Sequence, residues 1–329
     1  MTEAEPLITV ETLSMSFRRH RSFLARLTGQ PIQIVRALND VSFTVARGET
    51  LGIVGESGCG KSTLARCLVR LLTPVAGRIS YDGIEVLMLD ATRQRDYSRR
   101  VQMVFQDPYS SLNPRMTVGQ MLGEAIRFHG LRRGPEVEKR VGELLDLVRL
   151  PPDAKARYPH EFSGGQRQRI GIARALAVEP ECLIADELVS ALDVSVQAQI
   201  VNLLLELQER LGLTVLFIAH DLRLVRHISH RVAVMYLGAI VELAETERLF
   251  TAPSHPYTAA LLKAAPELDP ARRSVVDAVR GELPSPLAIP SGCPFHPRCP
   301  IAIDRCWIER PELRELAAGH IAACHLATA

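Results

Sequence analysis

Hydrophobic and polar positions alternate along the first part of the chain in a way that predicts short strands. The stretch 50–54 is apolar enough to be a strand buried on both faces, and a glycine-rich loop with a helical pattern follows it. Further along, Asp82-Gly83 is typical of a two-residue hairpin turn. The elements predicted here are strands at 8–17, 41–45 and 50–54, a helix at 62–72 and a hairpin within 78–86.

The middle of the chain has the spacing of helices instead. Its apolar residues recur every three or four positions, and Pro135 and Pro151 stand where one such helix would begin and end. After residue 182 strands and helices alternate again. We predict helices at 117–129, 136–150, 163–178 and 195–211, and strands at 182–185, 214–219 and 231–236. Helical material between two halves of a strand–helix alternation predicts an α/β core with an inserted helical subdomain at about 107–178.

Prolines become frequent after residue 265, which marks a boundary. We therefore divide the chain into a domain of residues 1–265 and an extension of residues 266–329. Three of the seven cysteines, Cys59, Cys67 and Cys182, stand singly, as buried thiols do. The other four lie in the extension.

Composition narrows the class of protein. The 329 residues are 47% hydrophobic, enough for a sizeable core in about two domains. Basic and acidic residues number 39 and 37, so no strong field favours nucleic acid as a partner. No stretch of 18 residues is apolar throughout, and the acidic N-terminus does not resemble a secretory signal. We expect a cytoplasmic protein.

The segment Gly55–Ser62 fits the pattern G-x-x-x-x-G-K-[ST] of a phosphate-binding loop, or P-loop. In such a loop the glycines let backbone N–H groups surround a phosphate, and the next helix directs its positive end to the same group. Lys61 would contact the β- and γ-phosphates, and the Ser62 hydroxyl would bind Mg²⁺. The alternative is a plain glycine turn before a helix. The context of strand, loop and helix favours a nucleotide site.

Two carboxylates follow the apolar strand at 182–185. Asp186 would hold Mg²⁺ through water, and Glu187 could orient and deprotonate an attacking water. Without the P-loop, an ordinary strand end would be the better interpretation. Gln106 and His220 also follow apolar stretches, and each taken singly is typical of a hydrogen-bonded residue at a strand end.

Ser163-Gly-Gly-Gln166 opens a predicted helix with flexible backbone and unpaired N–H groups, which suits an anion. A simple helix cap is the alternative. Because the chain already has one P-loop, a second phosphate-binding helix end suggests a site shared between two chains.

The four cysteines of the extension, Cys293, Cys299, Cys306 and Cys324, suggest a metal site, since disulfides are disfavoured in the cytoplasm. Zinc prefers Cys-x-x-Cys pairs, whereas the gaps here are about five, six and seventeen residues, as suits an iron–sulfur cluster. His296 and His325 lie close enough to replace a thiolate, so zinc also stays open.

Together, in this order, the P-loop, Gln106, the segment 163–166, Asp186-Glu187, the segment 190–193 and His220 resemble the nucleotide-binding subunits of ABC transporters. The resemblance covers residues 8 to about 265 and implies a P-loop NTPase core with an N-terminal antiparallel β-subdomain. It also implies a head-to-tail dimer that holds two ATP molecules at its interface.

The resemblance assigns a role to each candidate residue. It implies catalysis by Glu187, His220 and Gln106, and Mg²⁺ binding by Ser62, Gln106 and Asp186. It implies ATP binding by Phe17 (against the adenine), Gly55, Glu56, Ser57, Gly58, Cys59, Gly60, Lys61, Ser62, Thr63, Ser163, Gly164, Gly165, Gln166 and Asp193. One departure stands in the loop before Asp193, where Leu188-Val189 replaces the usual Pro-Thr and could alter signalling across the dimer.

Segments 106–114, 193–199, 254–258 and 292–300 look like the dipeptide, oligopeptide and nickel importer group. That resemblance implies a peripheral ATPase on the cytoplasmic side of the inner membrane. Its partners would be a second ATP-binding subunit (a paralogue or another copy), two permease subunits and, indirectly, an extracytoplasmic solute-binding protein. It also favours a four-iron cluster over zinc at Cys293, Cys299, Cys306 and Cys324.

Two other classes of protein share the ATP-binding motifs. A soluble ATPase acting on DNA or ribosomes usually carries a long coiled coil or a second P-loop, and this sequence has neither. A non-catalytic regulatory module would not need Glu187 and His220. We therefore expect an ATPase that powers transport.

Overall fold

The computed structural model of this chain describes residues 6–18, 33–107, 111–190, 192–264, 282 and 284–328. These residues form two compact units. The helical unit comprises 45–50 and 88–219, and the P-loop unit comprises 6–44, 51–87 and the described residues from 220 onward.

Twelve strands and ten α-helices lie within the described residues. The strands are β1 (Pro6–Arg18), β2 (Ile34–Ala46), β3 (Thr50–Val54), β4 (Ala76–Tyr81), β5 (Ile84–Glu85), β6 (Val101–Val104), β7 (Cys182–Asp186), β8 (Thr214–Ile218), β9 (Arg231–Tyr236), β10 (Ala239–Glu245), β11 (Arg314–Ala317) and β12 (His320–Ala322). The α-helices are α1 (Lys61–Leu68), α2 (Ala91–Arg100), α3 (Val118–Phe128), α4 (Pro135–Leu147), α5 (Gly164–Leu176), α6 (Val194–Leu211), α7 (Leu222–Ile228), α8 (Thr246–Thr251), α9 (Pro256–Ala264) and α10 (Asp304–Ile308). Short 3₁₀ helices span Pro152–Ala156, Pro159–Glu161 and His296–Arg298.

The helical unit contains three parallel strands in the order β6-β7-β8, with Cys182 paired to Val101 on one side and to Thr214 on the other. Every residue of β7 and β8 is buried. Helix α5 packs on β6 and on helices α3, α4 and α6. The carboxyl end of β7 therefore has a rigid support for the residues that follow it.

An antiparallel sheet with the strand order β2-β1-β4-β5 belongs to the P-loop unit. Ile8 pairs with Tyr81 at one end of β1. The predicted hairpin is confirmed: Asp82 and Gly83 have φ angles of 51° and 74°. Both angles lie in the left-handed region, as a type I′ turn requires.

The P-loop unit also contains strands in the order β11-β12-β10-β9-β3. Strands β3 and β9 are parallel, and β9, β10, β12 and β11 are joined by antiparallel pairs. Glu242 of β10 lies opposite Ala322 of β12. The end of the chain thus continues the sheet that holds the strand before the P-loop.

A buried carboxylate lies where the extension meets β10. Glu242 accepts hydrogen bonds from the backbone N–H groups of Ser254 (2.7 Å) and His255 (3.0 Å). The His320 ring, also buried, lies 2.8 Å from it through Nε2, while Arg248 Nε donates to His320 Nδ1. Because Nδ1 accepts from the guanidinium, Nε2 carries the proton toward Glu242. The carboxylate therefore joins β10, the segment before α9 and β12.

Most of the predicted elements are confirmed, and Thr50–Val54 and Arg231–Tyr236 have the predicted bounds. The other predicted elements have ends within three residues of the observed ones, except two. The helix predicted at 62–72 ends at Leu68, because Arg70 adopts a φ of 59° that stops the helix. The strand predicted at 41–45 spans 34–46, since its first half pairs on the antiparallel sheet despite a weak alternation.

The Glu242 network generates a prediction about stability. Replacing His320 with alanine leaves a fully buried carboxylate with one donor fewer, so we expect the free energy of unfolding to fall by roughly 3 kcal/mol. The midpoint of thermal unfolding measures this. As a control, Arg305→Ala removes an exposed pair with Glu309 and should leave the midpoint unchanged. Equal midpoints for the His320 variant and the wild type would contradict the assignment.

Candidate nucleotide site

The P-loop lies directly between β3 and α1. The Lys61 side chain, only 3% exposed, donates from Nζ to the carbonyls of Gly55 (2.7 Å) and Glu56 (3.1 Å). The ammonium group therefore lies inside the curve of the loop, where the sequence predicts phosphate oxygens. Ser57 and Gly58 are exposed at its tip, and Ser62 and Thr63 are half-buried on the first turn of α1.

Two residues of the loop show why its sequence is restricted. Gly60 has a φ of 109°, and a Cβ there would lie 2.3 Å from the Ala37 carbonyl oxygen, so no other residue fits. Cys59 is buried; burial raises the pKa of its thiol, and its Sγ lies 3.8 Å from Lys61 Nζ. This cysteine is a neutral packing group of the loop.

Glu56, the second residue of the loop, is held at three points. Its N–H donates to the Tyr257 hydroxyl (3.0 Å), and its carbonyl accepts from Lys61. Its carboxylate accepts from Arg298 Nη1, at 3.0 Å for each oxygen. Tyr257 and Arg298 lie in the segments 254–258 and 292–300 that resemble the importer group, but the sequence analysis assigned neither residue a role.

The two remaining predicted residues of the P-loop unit lie at the ends of elements. Phe17 is exposed near the end of β1, and His220 is exposed just before helix α7. Asp221 caps that helix by accepting from the Arg223 N–H. Both predicted side chains are accessible, as contact with a nucleotide would require.

In the helical unit, the carboxylates at 186–187 follow strand β7 as predicted. Asp186 is buried, whereas Glu187 is half-buried and donates its N–H to the Ile218 carbonyl (2.9 Å). Glu187 has a φ of 47°, in the left-handed region that costs free energy for a residue with a side chain. The strained backbone turns the chain sharply at the residue predicted to be the catalytic base.

Gln106 and Glu187 are brought together, although 81 residues separate them in sequence. The Gln106 amide donates to the Glu187 carboxylate (2.7 Å) and contacts Ser190 Oγ (3.3 Å). Ser190 in turn donates to the Glu187 carbonyl (3.0 Å). An amide that contacts a carboxylate in this way can hold it in one orientation.

Helix α5 begins at Ser163–Gln166 with a reciprocal cap. The Ser163 hydroxyl accepts from the Gln166 N–H, and the Gln166 side chain accepts from the Ser163 N–H (3.0 Å). Gly165 permits close packing, because a Cβ there would lie 2.5 Å from Val196. The helix-cap interpretation is confirmed. Binding of an anion by this helix end stays a prediction.

The loop between Glu187 and Asp193 contains the departure from the family pattern. Leu188 and Val189 are buried, and the carbonyl of Leu188 accepts from the Gln168 amide of α5 (2.6 Å). The Gln197 amide of α6 donates to Val189 (3.0 Å) and to Leu192 (2.9 Å). Asp193 is exposed immediately before α6. Apolar packing and two glutamine amides therefore fix this loop.

The four cysteines of the extension line one small cavity together with His255, His296 and His325. None of the four is in a disulfide. The pKa of the Cys293 thiol is raised to about 11, first by burial and then by the electrostatic influence of the other three thiols. Across the part of the chain that the structure describes, no three His, Cys, Asp or Glu side chains are placed closely enough to hold a metal ion together.

Family models and related sequences now place the chain. The model described as "ABC transporter" matches residues 38–190, and the model described as "Oligopeptide/dipeptide transporter, C-terminal region" matches residues 241–306. The "Probable peptide ABC transporter ATP-binding protein y4tS" of Sinorhizobium fredii is 53% identical over 98% of this chain and 90% of its own length. The "Oligopeptide transport ATP-binding protein AppF" of Bacillus subtilis is 52% identical over 89% of this chain and 90% of its own.

Solved structures agree with the sequence matches. The dimeric ATP-binding cassette MJ0796, in a post-hydrolysis state bound to ADP and Pi, is 28% identical with a TM-score of 0.63. The likeness covers 73% of this chain and 98% of that one. CbiO1 of Clostridium perfringens, part of an ABC transporter complex, gives the same TM-score at 27% identity, over 75% of this chain and 91% of its own.

The fold and the P-loop therefore define an ATP-binding cassette, with the P-loop NTPase core predicted from the sequence. The chain belongs to the ATP-binding subunits of the ABC transporter family, whose members hydrolyse ATP.

Sequence reasoning missed the residues that support the predicted site, namely Tyr257, Arg298, Gln168 and Gln197. Each acts through a hydrogen bond to a loop that is distant in sequence. The available signal for Gln168 was a polar residue among the apolar positions of the predicted helix at 163–178. Arg298 lies in the segment 292–300 that resembles the importer group, but that resemblance does not connect it with the P-loop.

The geometry around Glu187 generates a prediction about hydrolysis. We expect Glu187→Gln to retain ATP binding and to lower turnover by about 10²–10⁴-fold, the usual contribution of a general base. Phosphate release measures turnover, and an equilibrium titration with ATP measures binding. Lys61→Ala is the matched comparison, because loss of its charge should weaken binding itself. Wild-type turnover in the Glu187 variant would show that another group takes the proton.

Proposed function

We propose that this chain is the ATP-hydrolysing subunit of an ABC importer for peptides or related small solutes. The observation that carries the substrate class is the match of residues 241–306 to the oligopeptide and dipeptide transporter C-terminal region. The names of its relatives support the same class. The cargo itself would be bound by other subunits, so its identity does not enter the chemistry of this chain.

Hydrolysis would use the residues described above. Lys61 and the loop N–H groups would hold the β- and γ-phosphates, and Phe17 would lie against the adenine. The oxygens of Ser62, Gln106 and Asp186 would hold Mg²⁺, a hard cation that prefers such ligands and neutralises phosphate charge.

Glu187 would accept the proton of the attacking water. The water oxygen then bonds to the γ-phosphorus as the bond to the ADP oxygen breaks. Gln106, hydrogen-bonded to Glu187, would keep the carboxylate pointed at that water. His220 would contact the γ-phosphate.

The second half of each site would come from another ATP-binding subunit. The N-terminus of α5 would offer its N–H groups and its dipole to the γ-phosphate bound by the partner's P-loop. Asp193, exposed before α6, would signal across this interface. The dimeric form of the MJ0796 cassette supports this arrangement.

The remaining partners follow from the importer class. We propose that the chain binds two permease subunits on the cytoplasmic side of the inner membrane, supplied by an extracytoplasmic solute-binding protein. None of the helices in the described ranges is both long and apolar enough to cross a bilayer. Retention of the tagged chain by co-expressed permeases in detergent would separate this function from that of an ATPase acting on DNA or ribosomes.

We also propose that the extension, residues 266–329, holds a four-iron cluster with a structural role. Its support is the shared cavity of Cys293, Cys299, Cys306 and Cys324. A four-iron cluster takes one thiolate on each iron, and bound iron would favour the deprotonated thiols. A segment this short gains much of its stability from such a group.

Shared sites predict complementation between two inactive chains. Ser163→Arg should leave ATP binding intact and abolish hydrolysis, because an added side chain blocks the helix end. Mixed with Lys61→Ala, it should recover part of the wild-type phosphate release, since each mixed dimer keeps one intact site. If no activity returns in a chain shown to form homodimers, each site is self-contained.

The cluster hypothesis is tested by metal analysis. Anaerobically purified protein should absorb visible light and contain about four irons and four sulfides per chain. Cys299→Ser should lose both, and Cys67→Ala, a buried cysteine of α1 outside the cavity, should keep them. Colourless protein with one zinc per chain would replace the cluster with a zinc site.

A further inference from the structure

A partly buried ion pair joins the cysteine-containing extension to the P-loop. The Arg298 side chain, 7% exposed, donates to both oxygens of the Glu56 carboxylate, itself 24% exposed. Its guanidinium also lies 3.5 Å from the Tyr236 hydroxyl and 5.9 Å from the centre of that ring. Loss of Glu56 would leave a largely buried guanidinium without its partner, and loss of Arg298 would leave the carboxylate charge in the loop uncompensated.

Arg298 ends the 3₁₀ helix His296–Arg298, and the next residue, Cys299, lines the cysteine cavity. Phe295 directly precedes this short helix and packs on two tyrosine rings, with ring centroids 5.3 Å apart for Tyr236 and 5.4 Å apart for Tyr257. Tyr257 is the residue that accepts the Glu56 N–H. Two separate paths therefore lead from the extension to the same residue of the P-loop.

The charge of Glu56 gives this contact its meaning. A carboxylate in a phosphate-binding loop repels the phosphates that the loop has to hold. Arg298 cancels that charge and, by holding the carboxylate, keeps the side chain in one position. Lys61 is then left to attract the phosphates without an opposing negative charge in the same loop.

We propose that Arg298 is a positioning residue of the nucleotide site: through Glu56 it fixes the P-loop and neutralises it, so that ATP affinity depends on a correctly folded extension. This inference rests on the proposed function in so far as the loop binds ATP. It assigns the extension a part in the ATPase cycle.

The test is a double-mutant cycle on the full chain. Arg298→Gln leaves Glu56 without its counter-charge, so the Kd and KM for Mg-ATP should rise about tenfold while kcat changes little. Glu56→Gln removes the repelling charge and leaves Arg298 without its partner, and it supplies the second single variant of the cycle. The double variant should regain most of the affinity lost in Arg298→Gln. Arg305→Gln, which removes an exposed arginine of the same extension, is the control.

A measurement without nucleotide keeps the inference separate from the proposed function. In Arg298→Gln the amide hydrogen of Glu56 should exchange faster with solvent, because the residue that presents it to Tyr257 has lost its anchor. Wild-type protein that binds no ATP would overturn the proposed function, and exchange at Glu56 would still decide the inference. Unchanged exchange in Arg298→Gln, or a double variant no better than the single one, would overturn the inference itself.

Discussion

The buried carboxylate of Glu242 is the group on which the arrangement of the P-loop unit depends. A carboxylate without solvent needs hydrogen-bond donors, and this one has three: the backbone N–H groups of Ser254 and His255 before α9, and the His320 ring of the extension. These hydrogen bonds hold the start of α9, which contains Tyr257, and they hold β12 against β10. Tyr257 and Arg298 then both hydrogen-bond to Glu56 of the phosphate-binding loop.

In both units, a loop that carries predicted site residues is held by hydrogen bonds from its backbone to side chains of neighbouring elements. In the P-loop unit, the backbone of Glu56 donates to the Tyr257 hydroxyl and accepts from Lys61. Gly60 allows the Ala37 carbonyl to come close to the loop. In the helical unit, glutamine amides hold the loop after β7 through its carbonyls. After the strand ends, hydrogen bonds from side chains thus take the place of the backbone hydrogen bonds between strands.

Local pattern was sufficient for much of the fold. Strands β3 and β9 are continuous apolar stretches, so their bounds were predicted to the residue. Strand β10 was missed because Glu242 interrupts its apolar pattern, and a buried charge looks like a loop residue when its partners are unknown. In the extension the sequence indicated a proline-rich boundary and four cysteines but none of the elements, since its contacts are long-range: Arg298 and Glu56 are 242 residues apart. The motif residues at 106 and 187 were found by type, yet only the fold shows that they touch.

Strand β12 has a consequence for the solubility of the chain. It pairs with the side of β10 that faces away from β9, and β11 then closes the row with exposed, charged Arg314 and Glu315. Natural sheets guard their edge strands with charge of this kind, because an apolar edge recruits strands from other molecules. A chain cut before the extension would expose the apolar edge of β10 and invite intermolecular β-pairing. The last residues thus act as a shield against aggregation as well as a support for the nucleotide loop.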